Sequence, residues 1–277
     1  MDNSLNPRFG EDMRKAFPSV KICSNASNLY YGVSLNKGID SSRGEFILCL
    51  NDDLVLENNF IEQALKGFTA ENKVGMVSGK ILRMDKKTLD STGLSLSLWY
   101  SAEERGYGRK DEGRFDHPGV IFGVTGSTAF YRREMLEEIK EGPDYFDARM
   151  RMFYEDLDLS WRAHKRGWKA YYVPAAIAFH ARGASCRKES GLDKPAARRY
   201  LNDCLHAELI KNRYLTVFKN AGLFPILAHL IPMVIYDFCA WCFVIFCRPN
   251  VLKLCLNDLR RFLRFRPGKQ AQDCPPD

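Results

Sequence analysis

The chain has 277 residues, of which 45% are hydrophobic and 27% charged, with a formal net charge of +7. That is ordinary globular composition, long enough to bury a sizeable core, and it excludes a disordered chain or a small disulfide-stapled scaffold. The nine cysteines show no paired zinc-ligand spacing and follow no stretch of signal-peptide character, so a reducing compartment is expected.

In chain order, short apolar runs alternate with helical patterns from Val20 to about Ala184, the rhythm of βα units around a largely parallel sheet. Residues Phe46 to Leu50 form a continuous apolar strand of the kind buried on both faces, and it stops at Asn51-Asp52-Asp53. Phe60, Ile61, Ala64, Leu65 and Phe68 follow at helical spacing, and a second strand is expected around Gly75 to Leu82. The acids therefore stand at the carboxyl end of a central strand, where open α/β sheets place ligands. The stretch from Asp90 to Gly119 is rich in Gly, Ser and charge and reads as weak strands and loops. Val120 to Tyr131 reads as a strand and Arg132 to Lys140 as a short helix. A further helix is expected over Glu155 to Arg166, with acids in its first turn, Trp161 and Ala163 toward the core, and Gly167 just past its end. A strand from Ala170 to Phe179, interrupted by Pro174, leaves His180 at its exit.

From Ala221 to Cys247 the only ionised residue expected is Asp237. The run is long enough to span a bilayer, while Pro225, Pro232, His229 and Asp237 speak equally for an interfacial or re-entrant helix pair. Cys239 and Cys242 lie inside it and read as small apolar residues rather than a redox pair. Beyond it, Leu252, Cys255, Leu256, Leu259, Phe262 and Leu263 share one helical face, with Lys253, Arg260, Arg261 and Arg264 on others, a basic amphipathic helix of the membrane-surface kind. With Arg248, Arg266 and Lys269 added and only Asp258 opposing, this end of the chain favours anionic lipid over nucleic acid.

Asp52 and Asp53 offer hard oxygen ligands suited to a divalent cation that also touches a diphosphate, although such pairs also serve as solvated loop residues or caps. Glu155, Asp156 and Asp158 open a helix, where the dipole stabilises carboxylates whatever their function. His180 taken alone reads as a core or edge histidine. Order and spacing say more. Asn51-Asp52-Asp53, Gly126 in Gly-Ser-Thr-Ala-Phe-Tyr-Arg-Arg, the block from Phe153 to Arg162, Gly167-Trp168-Lys169, Tyr172-Val173-Pro174-Ala175 and His180 together resemble the family 2 inverting glycosyltransferases with the GT-A fold. The resemblance is closest to the rhamnosyltransferase-like members and runs from the N-terminus to about residue 220. Asp2-Asn3-Ser4, Asn28 and Asn36-x-Gly38 resemble that family's nucleotide-side segments.

The resemblance implies an α/β, Rossmann-like mixed and largely parallel sheet flanked by helices over residues 1–220. A membrane-associated helical segment over 221–270 and a tail over 271–277 complete the expected layout. It also implies roles. Asp53, with Asn51 in place of the first acid of the family's D-x-D and His180 completing the set, holds Mg2+ or Mn2+. Asp2, Asn28, Asn36, Asp52 and Gly126 serve the donor, Asp156 is the general base, and Glu155 orients it. The implied partners are a nucleotide-sugar donor, rhamnose among the sugars, a glycan or polyprenyl-linked acceptor and an anionic membrane surface, with no nucleic acid. The implied location is the cytoplasmic face of a membrane, peripheral or hairpin-anchored. Two departures stand out: no strand precedes Asp2, so the chain is expected to start at the family's second strand, and Tyr30 stands where relatives carry a glycine. A rival reading from another class is an impaired remnant or partner subunit that binds glycan or lipid without turnover. A metal-dependent phosphate-ester hydrolase, the third, would want more His and Asp ligands.

Overall fold

The computed structural model describes residues 1–182 and 201–264, leaving aside the side chains of residue 7 and of 259–264. The chain forms two compact units, Met1–Ser97 with Ala102–Lys194, and Leu98–Ser101 with Pro195–Asp277. In the first unit the elements run α1 (Pro7–Ala16), α2 (Tyr30–Asp40), β1 (Phe46–Leu50), β2 (Leu54–Leu56), α3 (Phe60–Gly67), β3 (Val74–Arg83), β4 (Leu89–Ser91), β5 (Leu94–Leu96) and β6 (Ala102–Glu104). They continue with β7 (Gly119–Ile121), β8 (Thr128–Arg132), α4 (Arg133–Ile139), α5 (Glu155–Lys165) and β9 (Lys169–His180).

The main sheet has the order β1-β8-β3-β9-β2, with β4 against β3 and β7 against β9. Its mixed α/β character is as expected, but the expectation of a largely parallel sheet is corrected. Only β3 and β9 run parallel among the described pairings of this sheet; β1–β8, β2–β9, β3–β4, β3–β8 and β7–β9 are antiparallel. A continuous apolar run records burial on two faces and carries no information on direction, which the connections decide. Alternation along each strand separates the two faces: Met76, Ala129 and Tyr131 join Met135, Leu136, Phe146 and Leu159 on one side. Val77 and Phe130 join Phe60, Ala64 and Phe68 of the α3 side on the other.

Pro174 is accommodated inside β9 by a bulge: the register with β3 jumps from Gly79↔Val173 to Lys80↔Ile177. The bulged backbone presses so close that a Cβ on Gly79 would lie 2.2 Å from the Ala176 carbonyl oxygen. The single strand expected over Val120 to Tyr131 is two, β7 and β8, because the intervening Gly-x-x-Gly loop leaves the ladder. In α5, Ala163 is buried as expected, whereas Trp161 is only half-buried and Arg162 takes the inward position.

Arg162 is the strut of that helix. Its Nε donates to Asp158 Oδ2 at 2.9 Å, and its two terminal nitrogens donate to the carbonyls of Ile139 and Tyr145. Both partners of the ion pair are buried. Replacing Arg162 with Met leaves the Asp158 carboxylate without its cation, and urea unfolding is expected to show a loss of about 3–5 kcal/mol at pH 7.

The second unit contains α6 (Asp203–Asn220), α7 (Leu223–Ala228), α8 (Leu230–Cys247) and α9 (Pro249–Arg264). The apolar run is thus two helices divided at His229, and Pro225 and Pro232 fall in the first turn of each, where a missing N–H costs nothing. Ala207 and Ile210 of α6 pack on Val244 of α8 and Val251 of α9. Asp237, the acid in the middle of α8, is paired with Arg213 at 2.6 Å, and Trp99 stacks on Tyr236. By length and composition α8 is long and apolar enough to cross a membrane, with a mean hydropathy of 2.1. Its outer face leaves Ile231, Val234, Ile235, Phe238 and Phe246 exposed. The side chains of Arg260, Arg261 and Arg264, and residues Arg266 and Lys269, lie outside the described residues, so the basic face expected there is not described.

Candidate active site

Sheet register brings the first group together. β2 starts immediately after Asp53 and pairs Leu54 with His180, while the Ala181 N–H donates to the Asp53 carbonyl at 2.9 Å. The Asp53 carboxylate therefore meets the His180 ring, with Oδ1 3.1 Å from Nε2. The other ring nitrogen, Nδ1, lies 2.7 Å from Oδ2 of Asp90, which is 1% exposed at its side chain, and Arg182 donates to the second oxygen of the same carboxylate. Burial pushes the Asp90 carboxyl up, but the His180 hydrogen bond and the Arg182 guanidinium outweigh it and hold the group below its ordinary range. An ionised Asp90 fixes the tautomer with the proton on Nδ1, which leaves the Nε2 lone pair facing a carboxylate oxygen. Two such atoms repel unless a proton or a cation lies between them.

That donor set fits a divalent cation: one carboxylate oxygen and one imidazole nitrogen, 3.1 Å apart, match neighbouring donors on a six-coordinate ion with bonds of about 2.1 Å. A buried carboxylate behind the histidine is the usual support of a metal-binding imidazole. Asn51 is half-buried, its N–H donating to Ser127 O at 3.0 Å, and Asp52 is exposed at the turn. A second acidic group, Glu141, Asp147 and Asp158, has carboxylate oxygens within 4.8 Å of one another. It could hold a cation by geometry, but Arg149 already pairs with Asp147 and Arg162 with Asp158.

The second side of the site is the loop before β8. The Gly126 N–H donates to Asp156 Oδ2 at 2.8 Å, and Tyr31 Oη donates to the Gly126 carbonyl. A Cβ at Gly126 would lie 3.3 Å from Tyr31 Oη and 3.4 Å from Asp156 Oδ2, so any side chain there would press on both of the groups that hold the loop. Oδ1 of Asp156 accepts from the Leu157 N–H at 2.8 Å. Phe153 and Tyr154, just before α5, both have φ of 71°, a left-handed conformation costing about 1–2 kcal/mol each for residues with side chains. Such strain turns the chain sharply enough to present Glu155 and Asp156 at the head of the helix. Sequence alone suggested that the helix dipole governs Asp156. In the structure burial outweighs the hydrogen bonds from Gly126 and Leu157, and the Asp156 carboxyl lies above its ordinary range. Glu155 is buried beside it.

Glu104, at the end of β6, was not legible as a site residue. It receives hydrogen bonds from Thr125 Oγ1, at 2.9 Å, and from Ser91 Oγ. Burial pushes its carboxyl up to about 7, with Asp156 and Asp90 adding to the shift and Arg182 opposing it.

The expected donor-side residues are placed differently from one another. Asp2 forms an isolated parallel bridge with Ser24 and accepts from the Ser4 N–H at 2.8 Å and Ser24 Oγ at 3.0 Å. Those bonds, Ser4 first, hold its carboxyl below the ordinary range. Asn28 accepts from the Tyr30 N–H at the start of α2, and Tyr30 has φ of 59°, the left-handed geometry a glycine supplies without cost. Asn36, expected on the donor side, lies in the interior, where its side chain braces residues 144–146. Its amide donates to Asp144 and to the Phe146 carbonyl and accepts from the Tyr145 and Phe146 N–H groups, which uses all four of its hydrogen-bonding positions.

A family model described as "Glycosyltransferase like family 2" matches residues 9–202. The chain belongs to this family. Among curated relatives, poly-β-1,6-N-acetyl-D-glucosamine synthase of Staphylococcus aureus (strain COL) is 22% identical over 144 residues, 52% of this chain and 32% of the relative. The same enzyme of Staphylococcus epidermidis is 24% identical over 144 residues, with the same coverage. The family 2 chain therefore spans about a third of the length of the curated relatives it matches. Among solved structures, GalNAc-T7 with UDP, GalNAc and Mn2+ superposes with a TM-score of 0.54 at 13% identity, over 78% of this chain and 39% of that one. The mixed sheet flanked by helices is accordingly a GT-A-like fold.

Proposed function

We propose that the chain transfers a sugar from a nucleotide donor to a hydroxyl of a glycan or polyprenyl-linked acceptor, with inversion and with a divalent metal. The observation that carries this is the convergence of two opposite chemistries at one end of the sheet's strands. The Asn51–Ser127 backbone bond ties the turn bearing Asp53 to the loop whose Gly126 grips Asp156. In a single displacement the acceptor oxygen bonds to the anomeric carbon as the bond from that carbon to the diphosphate breaks. The electron pair leaves on the diphosphate, and the hydroxyl proton passes to an Asp156 oxygen. Asp53 and His180 would hold Mg2+ or Mn2+, with Asn51 and Asp52 at the same turn; bound there, the ion supplies positive charge against that of the leaving diphosphate. Glu155 braces the base, and Asp2 and Asn28 shape the nucleotide side.

The resemblance to rhamnosyltransferase-like enzymes makes dTDP-rhamnose the first donor to try, and the synthase relatives make UDP-GlcNAc the second. The test is release of nucleoside diphosphate from a panel of nucleotide sugars by the full chain with Mn2+, with and without polyprenyl-phosphate glycans. Acceptor-stimulated release from one donor is expected. Release from none of the panel, or release equal with Mn2+ and with EDTA, contradicts the reading.

We further place the transfer domain over residues 1–220 and a membrane-associated segment over 221–270, with 271–277 as a tail, on the cytoplasmic face. Its support is the exposed apolar surface of α7 and α8, including Phe224, Ile231 and Phe238. Changing these three to Ser removes apolar area worth about 1.5–3 kcal/mol each on burial, so co-sedimentation with phosphatidylglycerol-containing vesicles should fall at least about tenfold. Equal sedimentation of wild type and variant, or none by either, contradicts this placement.

A further inference from the structure

We propose that Glu104 is a positioning residue for the base: its carboxylate, held between Ser91 and Thr125, fixes the loop whose Gly126 N–H orients Asp156. The proposal rests on Asp156 being the base. Its basis is a continuous hydrogen-bonded path. Ser91 Oγ donates to Oε2 and Thr125 Oγ1 donates to Oε1 at 2.9 Å. Thr125 Oγ1 lies 3.3 Å from Ser127 Oγ, and the residue between them is the glycine bonded to Asp156. On its other flank Ser91 follows Asp90, the carboxylate behind His180. Glu104 therefore stands between the two halves of the site.

The ionic form matters for a geometric reason. A carboxylate accepts on both oxygens, so it forces both hydroxyls to donate and leaves Thr125 Oγ1 to accept from Ser127. A protonated carboxyl, or the amide of glutamine, presents a hydrogen to one of those hydroxyls, which must rotate and surrender its place. The charged groups facing Glu104 are Arg182, Asp156 and Asp90, and burial with the two acids pushes its carboxyl up to about 7. For an acid whose folded pKa is raised above its unfolded value, stability falls as pH climbs from the ordinary glutamate range to that value. Above pH 7 the ionised group thus weakens the fold, which is the opposite of what a purely structural residue would do.

The E104Q variant separates the two roles. At pH 8, hydrogen exchange of the full chain read by mass spectrometry should be at least about tenfold faster in peptides covering 122–128 of E104Q than of wild type. The melting temperature at pH 8 should be equal or higher. Lowering the wild-type protein from pH 8 to 6 should bring its corrected 122–128 exchange toward that of E104Q, which itself should not respond. With the donor found active above, kcat should fall about 10- to 100-fold while calorimetric UDP affinity in Mn2+ stays unchanged. Unchanged 122–128 exchange overturns the proposal. So does a fall in melting temperature with exchange spread over β4 and β6, the mark of a merely structural role. Exchange is read without substrate, so that failure leaves the base assignment standing. Near-normal transfer by D156N would instead remove the base reading and the catalytic part of this proposal with it.

Discussion

Asp156→Asn should lose about 10²–10⁴-fold in transfer while the protein stays folded and binds donor normally. The separation follows from what each atom does. Oδ1 and Oδ2 accept from the Leu157 and Gly126 N–H groups. An asparagine side chain can satisfy one of them and must turn its NH2 toward the other, which costs about 1 kcal/mol of stability. The catalytic loss corresponds to about 2.7–5.5 kcal/mol of barrier, so the two effects are distinguishable in one preparation. The wild-type pH profile supplies a second check. Burial holds the Asp156 carboxyl above its ordinary range, so transfer should fall with pH through a limb displaced upward from that of a free aspartate. The sign of the stability effect is opposite, since protonating a group with a raised folded pKa relieves the fold, and acid inactivation in this range is therefore not unfolding caused by Asp156. Near-normal transfer by a folded Asp156→Asn protein would move the role to Glu155. Asp158 is a poor substitute, locked to Arg162 in the interior.

Much of the sheet was legible in its apolar runs: Phe46 to Leu50 and Gly75 to Leu82 announce themselves, and β1 and β3 lie there. Of the two, only β3 is buried along nearly its whole length; β1 is an edge strand, half-buried over Phe46 to Leu48 and exposed at Leu50, so the expectation of a central strand buried on both faces is corrected there. Helix α5 carried its own start in its acids and its end in Gly167. What periodicity does not record is direction, hence the correction from a largely parallel sheet. Nor does it record pairing across long separations. Asp53 and His180 were named as one set through a resemblance of motifs, and the register Leu54↔His180 is what places them side by side. Asp90 and Glu104 were lost in the stretch from Asp90 to Gly119, whose three-residue strands are too short for a pattern. A carboxylate on a weak strand looks solvated in sequence; only burial and the hydroxyls of Ser91 and Thr125 distinguish Glu104. Asn36 is the converse case: the motif marks a polar residue, and what the sequence does not record is that its amide braces residues 144–146.

Asp53→Ala should abolish Mn2+-dependent binding of a nucleoside diphosphate, by at least about 100-fold, in calorimetry with UDP and with dTDP. The residue holds its place in the fold through its backbone, whose carbonyl accepts from Ala181, so truncating the side chain leaves the β2–β9 register intact. What goes is the only oxygen placed 3.1 Å from His180 Nε2 among the described contacts of that ring nitrogen. The supporting shell should matter in proportion. Asp90→Asn keeps the size and one acceptor for His180 Nδ1 but removes the charge that fixes the tautomer, and a loss of about 10- to 100-fold in metal-dependent affinity is expected. Because Asp90 also pairs with Arg182, its change weakens a second contact, so metal-free UDP binding must be measured alongside and subtracted. The control is the other acidic group. Glu141 belongs to it and is exposed, and Glu141→Gln should leave UDP–Mn2+ affinity where it was. Should Glu141→Gln abolish the binding while Asp53→Ala preserves it, the cation site moves from the end of β1 to the Glu141–Asp147–Asp158 group, and the division of labour between donor and base sides would have to be redrawn around α5.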